Sequence, residues 1–446
     1  MVRAQSSWRP GWQILEVVQG QASRVLSIIN LDPTTHPVQK PPPFMRKTMS
    51  LPVFSTGQPD TPPPVGWAFL RLGFRPFYLG GALVAALMVP LWLLFFLGSV
   101  SFTPAVAPLW WHAHEMLFGF AAAAVVGFLL TAGKNWTGLD TPRGPLLGAL
   151  VLLWLAARLA SLFGSALVYA VLDVALLPLV ALIFASLLWR AKNLRNMPLA
   201  LVLLLLASTN GLFHLAALGV LDINPMTTLY AALALITVIE TVIAGRVVPM
   251  FTKNVTPGLA LEASPLRERV TLALTVLGLV MWVLLPANGV SALVLALAGV
   301  AQALRLWGWR PGVTWKRPIL WILHLSYAWI ALGLGLLALA QLGWLPTSAG
   351  VHALGLGATG GLIMGMATRT ARGHTGRPII ASKPEVVMYV LVMLATACRV
   401  LASTLLIQHY SLLLMIAATA WSLAFGLYLW VFTPWLMAAR LDGKDG

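Results

Sequence analysis

Cysteine is nearly missing from this 446-residue chain. Cys398 stands alone, which excludes an intramolecular disulfide and leaves the redox compartment unread from cysteine usage. Charge is scarce as well: 9% of residues are Asp, Glu, Lys or Arg, against roughly 25% in soluble domains. With 59% hydrophobic residues and a mean hydropathy of +0.85, no water-soluble fold could hide the apolar surface. Acidic residues are the scarcest charge, 13 against 29 Lys and Arg, for a formal charge of +16. In a soluble protein that excess would suggest nucleic acid as a partner. Here the positions of the charges argue against nucleic acid and for a lipid bilayer.

The apolar stretches also lack the period-2 alternation of barrel strands, which excludes a membrane barrel. What is present instead is a series of runs near the roughly 20 residues that cross a hydrocarbon core about 30 Å thick. Twelve appear, at approximately 77–98, 110–132, 146–163, 166–189, 198–220, 226–250, 270–286, 289–305, 319–342, 349–368, 385–404 and 410–434. The expected fold class is all-α, a polytopic integral membrane helical bundle of about twelve transmembrane helices. Lys and Arg cluster after every even-numbered span, and 27 of the 29 fall on one side. The positive-inside rule makes that side cytoplasmic, with both termini on it. The two exceptions, Arg158 and Arg399, lie inside spans.

Residues 1–65 carry two triple prolines, Pro41–Pro43 and Pro62–Pro64, and lack the apolar stretch of a signal peptide. They are expected to be a disordered cytoplasmic tail, with a weak surface helix near Ile14–Ile29 or a start codon assigned too far upstream of Met49. No second soluble domain is expected, so function falls to a membrane domain at 66–440. Gly357, Gly361 and Gly365 recur every fourth residue, a packing seam in span 10.

Ionisable side chains at membrane depth cost several kcal/mol unless paired, so each is a functional candidate. Five acids and bases qualify: Glu115, Arg158, Asp173, Glu240 and Arg399. Arg158 and Asp173 flank the Gly164-Ser165 turn and are expected to pair between spans 3 and 4. Glu240, near the middle of span 6, is either a protonated, hydrogen-bonded acid or part of a proton path.

Four histidines fall near one outer level once the spans are oriented: His112, His114, His214 and His352. Imidazole is the commonest metal and haem ligand, and helical bundles hold such centres with His from facing helices. Residues two apart on a helix point roughly 200° apart, so His112 and His114 are expected to serve different centres. Glu115 is expected near the face of His112, and Asn210 as the partner of the second His214 nitrogen. Arg399 is expected to meet a haem propionate or Glu115. The plainer alternative makes His112, His114 and Trp110 interfacial anchors.

A second group lies toward the cytoplasm. His324 and Tyr327 share a face of span 9; His324 reads as a ligand, a proton carrier or a hydrogen-bonded core residue. His374 is expected in a basic loop with Arg369 and Arg377, which either cradles an anion or lipid phosphate or is simply positive-inside charge.

At these residues the sequence resembles the NnrS family of bacterial membrane proteins. The matching stretches are Leu72-Gly73-Phe74-Arg75-Pro76-Phe77, Trp111-His112-Ala113-His114-Glu115-Met116-Leu117-Phe118-Gly119, Asn135-Trp136-Thr137-Gly138, Gly245-Arg246-Val247-Val248-Pro249-Met250-Phe251, and Thr368-Arg369 with Gly373-His374-Thr375-Gly376-Arg377. The resemblance implies a multi-span inner-membrane protein containing haem and copper, linked to nitric oxide metabolism and resistance to nitrosative stress in denitrifiers and pathogens. It leaves open which of His112, His114, His214, His324, His352 and His374 binds which cofactor, and whether the protein turns over a substrate. Two other functions stand beside it: a proton-coupled transporter using Glu240, Asp173 and the histidines, and a metal-handling assembly factor. Twelve spans suit a transporter, but inspection finds no inverted repeat.

Overall fold

The computed structural model describes residues 67–101, 103–261 and 264–445. The expectations for residues 1–65, including the Ile14–Ile29 helix and the Met49 start, lie outside the described residues. Long runs of Leu, Ala and Val with few breakers form twelve long helices among the described residues. They are α1 Phe74–Phe96, α2 Pro108–Thr137, α3 Pro145–Phe163, α4 Ala166–Arg190, α5 Met197–Ala217, α6 Pro225–Val255, α7 Pro265–Leu284, α8 Gly289–Gly308, α9 Pro318–Gln341, α10 Thr347–His374, α11 Lys383–Ala402 and α12 Tyr410–Met437.

Proline in the first turn starts α2, α3, α5, α6, α7, α9 and α11, where its missing N–H goes unneeded. Side-chain caps supply what proline cannot. Ser165, Asn224, Ser264 and Asn288 each accept a first-turn N–H, and Ser382 with Glu385 forms a capping box at α11.

Eleven of these helices are long and apolar enough to cross a membrane. The exception is α7, expected as the seventh span. Its first turn holds Arg267, Glu268 and Arg269, leaving the 15-residue stretch Val270–Leu284 apolar, about 22 Å of helix against a core of about 30 Å. Helix α10 also differs from expectation. It runs on through Arg369 and Arg372 to His374, so the first part of the expected basic loop is helical, and Arg377 lies beyond the helix end. Hydropathy ends a span where polar side chains begin, but backbone hydrogen bonding does not end there.

Two helices run through the middle. The apolar windows of α2 and α10 are 78% and 67% buried, more than any other span. Both change pitch on the way. α2 is a π-helix over Glu115–Ala121, directly after His114, and α10 is a π-helix over Ala353–Gly360, directly after His352. Such segments concentrate at functional sites because each re-aims the side chains beside it. The glycine seam packs α10 closely on α9: a Cβ at Gly357, Gly361 or Gly365 would meet Trp329, Ser326 or Leu323.

At one end of the bundle the first and last helices are tied together. Arg75, fully buried in the first turn of α1, donates through Nη1 to Leu436 O (2.7 Å) and Ala438 O (2.8 Å) at the end of α12. Past α12 the chain folds back. The Leu441 N–H donates to Thr375 O (3.2 Å), and Asp445 pairs with Lys134 (3.0 Å) and Arg143 (3.1 Å).

Candidate metal and cofactor site

The histidines expected at one level separate into two pairs with different surroundings. The first pair lies in a fully buried charge cluster where α2, α3, α4 and α5 meet. Arg158 of α3 sits between two carboxylates: its Nη1 donates to Glu115 Oε1 (2.7 Å), and its Nη2 pairs with Asp173 Oδ1. Asp173 in turn accepts from Asn210 Nδ2 (2.7 Å) and lies 3.1 Å from His214 Nε2 and 3.3 Å from His114 Nε2. The expected Arg158–Asp173 pair is therefore present, as the centre of a larger group.

Asn210 Nδ2 donates to Asp173, so its Oδ1 accepts from His114 Nε2 (2.8 Å). The Tyr169 hydroxyl donates to Glu115 Oε1 (2.8 Å), a carboxylate that only accepts, so it receives a hydrogen bond from His114 Nδ1 (2.5 Å). His114 thus has a hydrogen-bond partner at each ring nitrogen. Counting charge, two carboxylates and one guanidinium leave one negative charge beside the two imidazoles. A buried cluster must sit near neutrality, because an uncompensated ion in the membrane costs several kcal/mol.

His114, Asp173 and His214 offer ligand atoms within 4.8 Å of one another. His214 Nδ1 is buried with no hydrogen bond, a lone pair left over once Nε2 is turned to Asp173. Two imidazoles and one carboxylate suit copper or zinc. The cluster has room in its charge for one cation beyond Arg158, which is either a proton on an imidazole or a metal in its place.

The second pair faces a different space. His112 of α2 and His352 of α10 line a cavity of about 340 Å³, together with Arg399 of α11 and Trp92 of α1, within the range of pockets that hold small ligands and cofactors. The Trp92 ring stacks on the His112 ring at 4.3 Å between centroids. His352 donates from Nδ1 to Ser348 O (2.7 Å), which orients the ring and leaves Nε2 a lone pair, the arrangement of a metal-ligating histidine. His112 Nδ1 is buried without a hydrogen bond. Arg399 also bonds Ser403 and lies over the Tyr410 ring (5.7 Å). The remaining wall is mostly apolar.

Several expected partnerships differ. Glu115 lies with Arg158 and Tyr169 rather than under His112 or against Arg399. Asn210 serves His114, not His214, because Asp173 of α4 intervenes. Tyr169 was not foreseen at all: near a span end, a tyrosine reads as an interfacial anchor.

The other expected residues are brought to neither pair. His324 spends both nitrogens locally, Nδ1 on Leu320 O (3.2 Å) and Nε2 near Thr252 Oγ1 (3.4 Å). Tyr327 joins a separate network in which Arg305, buried in α8, binds Glu268 of α7, Tyr327 of α9 (2.7 Å) and Thr241 O of α6 (2.9 Å), while Gln302 accepts from Tyr327. By sequence Arg305 is one of the Lys and Arg residues that follow span 8. Arg369 lies over the Phe251 ring (3.7 Å), His374 packs on Phe74 (5.3 Å) and Arg377 lies over Trp435 (4.3 Å). Glu240, at the midpoint of α6, lines a second, smaller cavity.

No curated protein matches the chain. A family model described as NnrS protein matches residues 68–440. Both histidine pairs, both π-helical segments and the Arg75 clasp fall inside a match that takes in nearly all of the described bundle, and the chain belongs to the NnrS family.

Proposed function

We propose that the protein binds haem and copper in the bacterial inner membrane, with the basic end of the bundle cytoplasmic, and acts in nitric oxide metabolism or resistance to nitrosative stress. The observation that carries the haem assignment is the cavity walled by His112, His352 and Arg399. Its two imidazoles come from the central helices α2 and α10, and each has a ring nitrogen without a hydrogen-bond partner among the described residues. His112 and His352 would hold the iron, and Arg399 would bind a propionate through its planar fork of donors. Haem held by two histidines would supply one-electron redox chemistry. The chain's own contribution is to exclude water with the apolar wall, to fix the His352 ring through Ser348, and to brace His112 beneath Trp92.

Copper is assigned to His114, Asp173 and His214 on the donor set and on the charge count. A metal held there would compete with protons for the imidazole nitrogens, so copper uptake is expected to weaken as pH falls. Glu115, Arg158, Tyr169 and Asn210 orient those ligands.

The test is an absorption spectrum with metal analysis on purified protein made with ample haem. His112→Ala and His352→Ala are expected to lose the Soret band and keep copper; His114→Ala and His214→Ala are expected to do the reverse. His409→Ala, on the short turn before α12, keeps both. Absence of a Soret band from the wild-type protein would sink the haem assignment.

A further inference from the structure

The cavity lined by His112 and His352 shares three of its helices with the second, smaller cavity. Its walls come from residues 109–120 of α2, 226–233 of α6 and 348–359 of α10. The second cavity continues on the same three helices, with walls from residues 121–128, 236–248 and 359–366. Thr359 lines both. The two spaces therefore stack end to end along the membrane normal, divided at Thr359.

The lower space is about 80 Å³, enough for more than one water by the measure of roughly 10–15 Å³ for each. Its wall is apolar save for three groups: Glu240, Thr359 and Tyr78. Glu240 is the sole charged residue in that wall and Tyr78 its one other titratable group. Neither Glu240 Oε2 nor Thr359 Oγ1 has a hydrogen bond of good geometry, although the two side chains stand together. On the other side of the cavity the Tyr78 hydroxyl faces Thr370, next to Arg369. Polar side chains thus run Thr370, Tyr78, Glu240, Thr359 from the basic end of the bundle to the histidine chamber.

A carboxyl kept only for structure is normally saturated with partners, as Glu385 is by Arg372 and Ser382. Glu240 instead keeps one oxygen without a hydrogen bond among the described residues, beside a space with the volume to admit water. The geometry points to Glu240 as a proton relay between the basic end of the bundle and the His112/His352 chamber. A proton adds to the carboxylate from water on the Tyr78 side and leaves the carboxylic acid on the Thr359 side; the carboxylate is restored and no other bond changes. Tyr78 and Thr359 act as positioning residues for the water. The destination rests on the haem assignment above, whereas the exchange of Glu240 with solvent does not.

The test uses the full chain in detergent. Infrared difference spectra of wild type against Glu240→Gln are expected to lose one carboxylic-acid C=O band as pH is lowered, and in wild type that band shifts promptly on transfer to D₂O. Failure of any such band to disappear in Glu240→Gln, or a band that persists unshifted in D₂O, overturns the relay whether or not haem is bound. Where the Soret band is present, proton uptake on haem reduction is the second reading. Glu240→Gln is expected to slow it by about a hundredfold, the scale of losing a positioned acid–base group, with an unchanged Soret band, and Glu240→Asp to restore part of the rate. Wild-type uptake in Glu240→Gln overturns the relay; a missing Soret band removes only the haem.

Discussion

A methyl group at position 119 would lie 2.8 Å from Glu115 Oε2 and 3.1 Å from Arg158 Nη1. Gly119 is therefore small because the buried ion cluster passes directly over it, and its carbonyl takes the Trp154 indole N–H (3.2 Å) as well. Gly119→Val is expected to force Glu115 off Arg158 and to lower both the thermal unfolding midpoint in detergent and the copper content. Arg158→Met is the sharper test of charge balance, since it strands Glu115 and Asp173 together. Removing one member of a buried pair costs about 3–5 kcal/mol, so the unfolding midpoint should drop steeply. Adding Glu115→Gln should recover part of it, and a double variant as unstable as the sum of the singles would contradict the coupling. Hydropathy and charge made the members of this cluster visible in the sequence, because each is an expensive residue at membrane depth. Depth alone could not say that His114 pairs with His214 and His112 with His352. That choice depends on the rotation of α2 and on which neighbours α4 and α5 present.

Helices were the most legible level, since a run of apolar residues long enough to cross a bilayer has little choice but to be a helix. Their interruptions were not. The π-helices after His114 and His352 leave no mark in composition, because both segments are built from ordinary span residues. Each widens the turn by about one residue relative to an α-helix, setting the histidine-bearing end of α2 or α10 at a different rotation from the rest. Inserting one alanine after Ala123, in the regular α-helix just below the first segment, should swing His112 and His114 by about 100° relative to the lower half of α2. The expected result is a protein that still inserts in the membrane but binds neither cofactor, read from its absorption spectrum and metal content. Retention of both would show that this rotation is incidental. In α7 the opposite mismatch arises. Its apolar stretch looked like a span, yet Glu268 is turned inward to Arg305, so the charged first turn is used for packing on α8.

For the molecule as a whole, the ends of the described bundle are held by the contacts of its last residues. The Arg440 guanidinium beside Asp442 holds that carboxyl down at about 2, below the ordinary carboxylate range, and Lys134 and Arg143 depress Asp445 against the opposing effect of burial. Depressed acids contribute stability that is complete above the unfolded value near 3.9 and lost as pH falls through the folded one. The clasp is therefore expected to be tight at neutral and mildly acidic pH and to loosen below about 4. Hydrogen exchange at the Leu441 amide is the measurement, and an exchange rate that follows only the intrinsic acid dependence would rule the clasp out. Deeper in the same region, Arg75 meets its acceptors on a partner 361 residues later in the chain. At about 5–20 residues per second of synthesis, a nascent chain waits roughly 20–70 s between making that arginine and making the carbonyls that receive it. For all that time α1 sits in the bilayer with its guanidinium committed to nothing in α12. The bundle thus closes last where it began, and a polypeptide stopped short of α12 is a molecule whose first helix can never be finished.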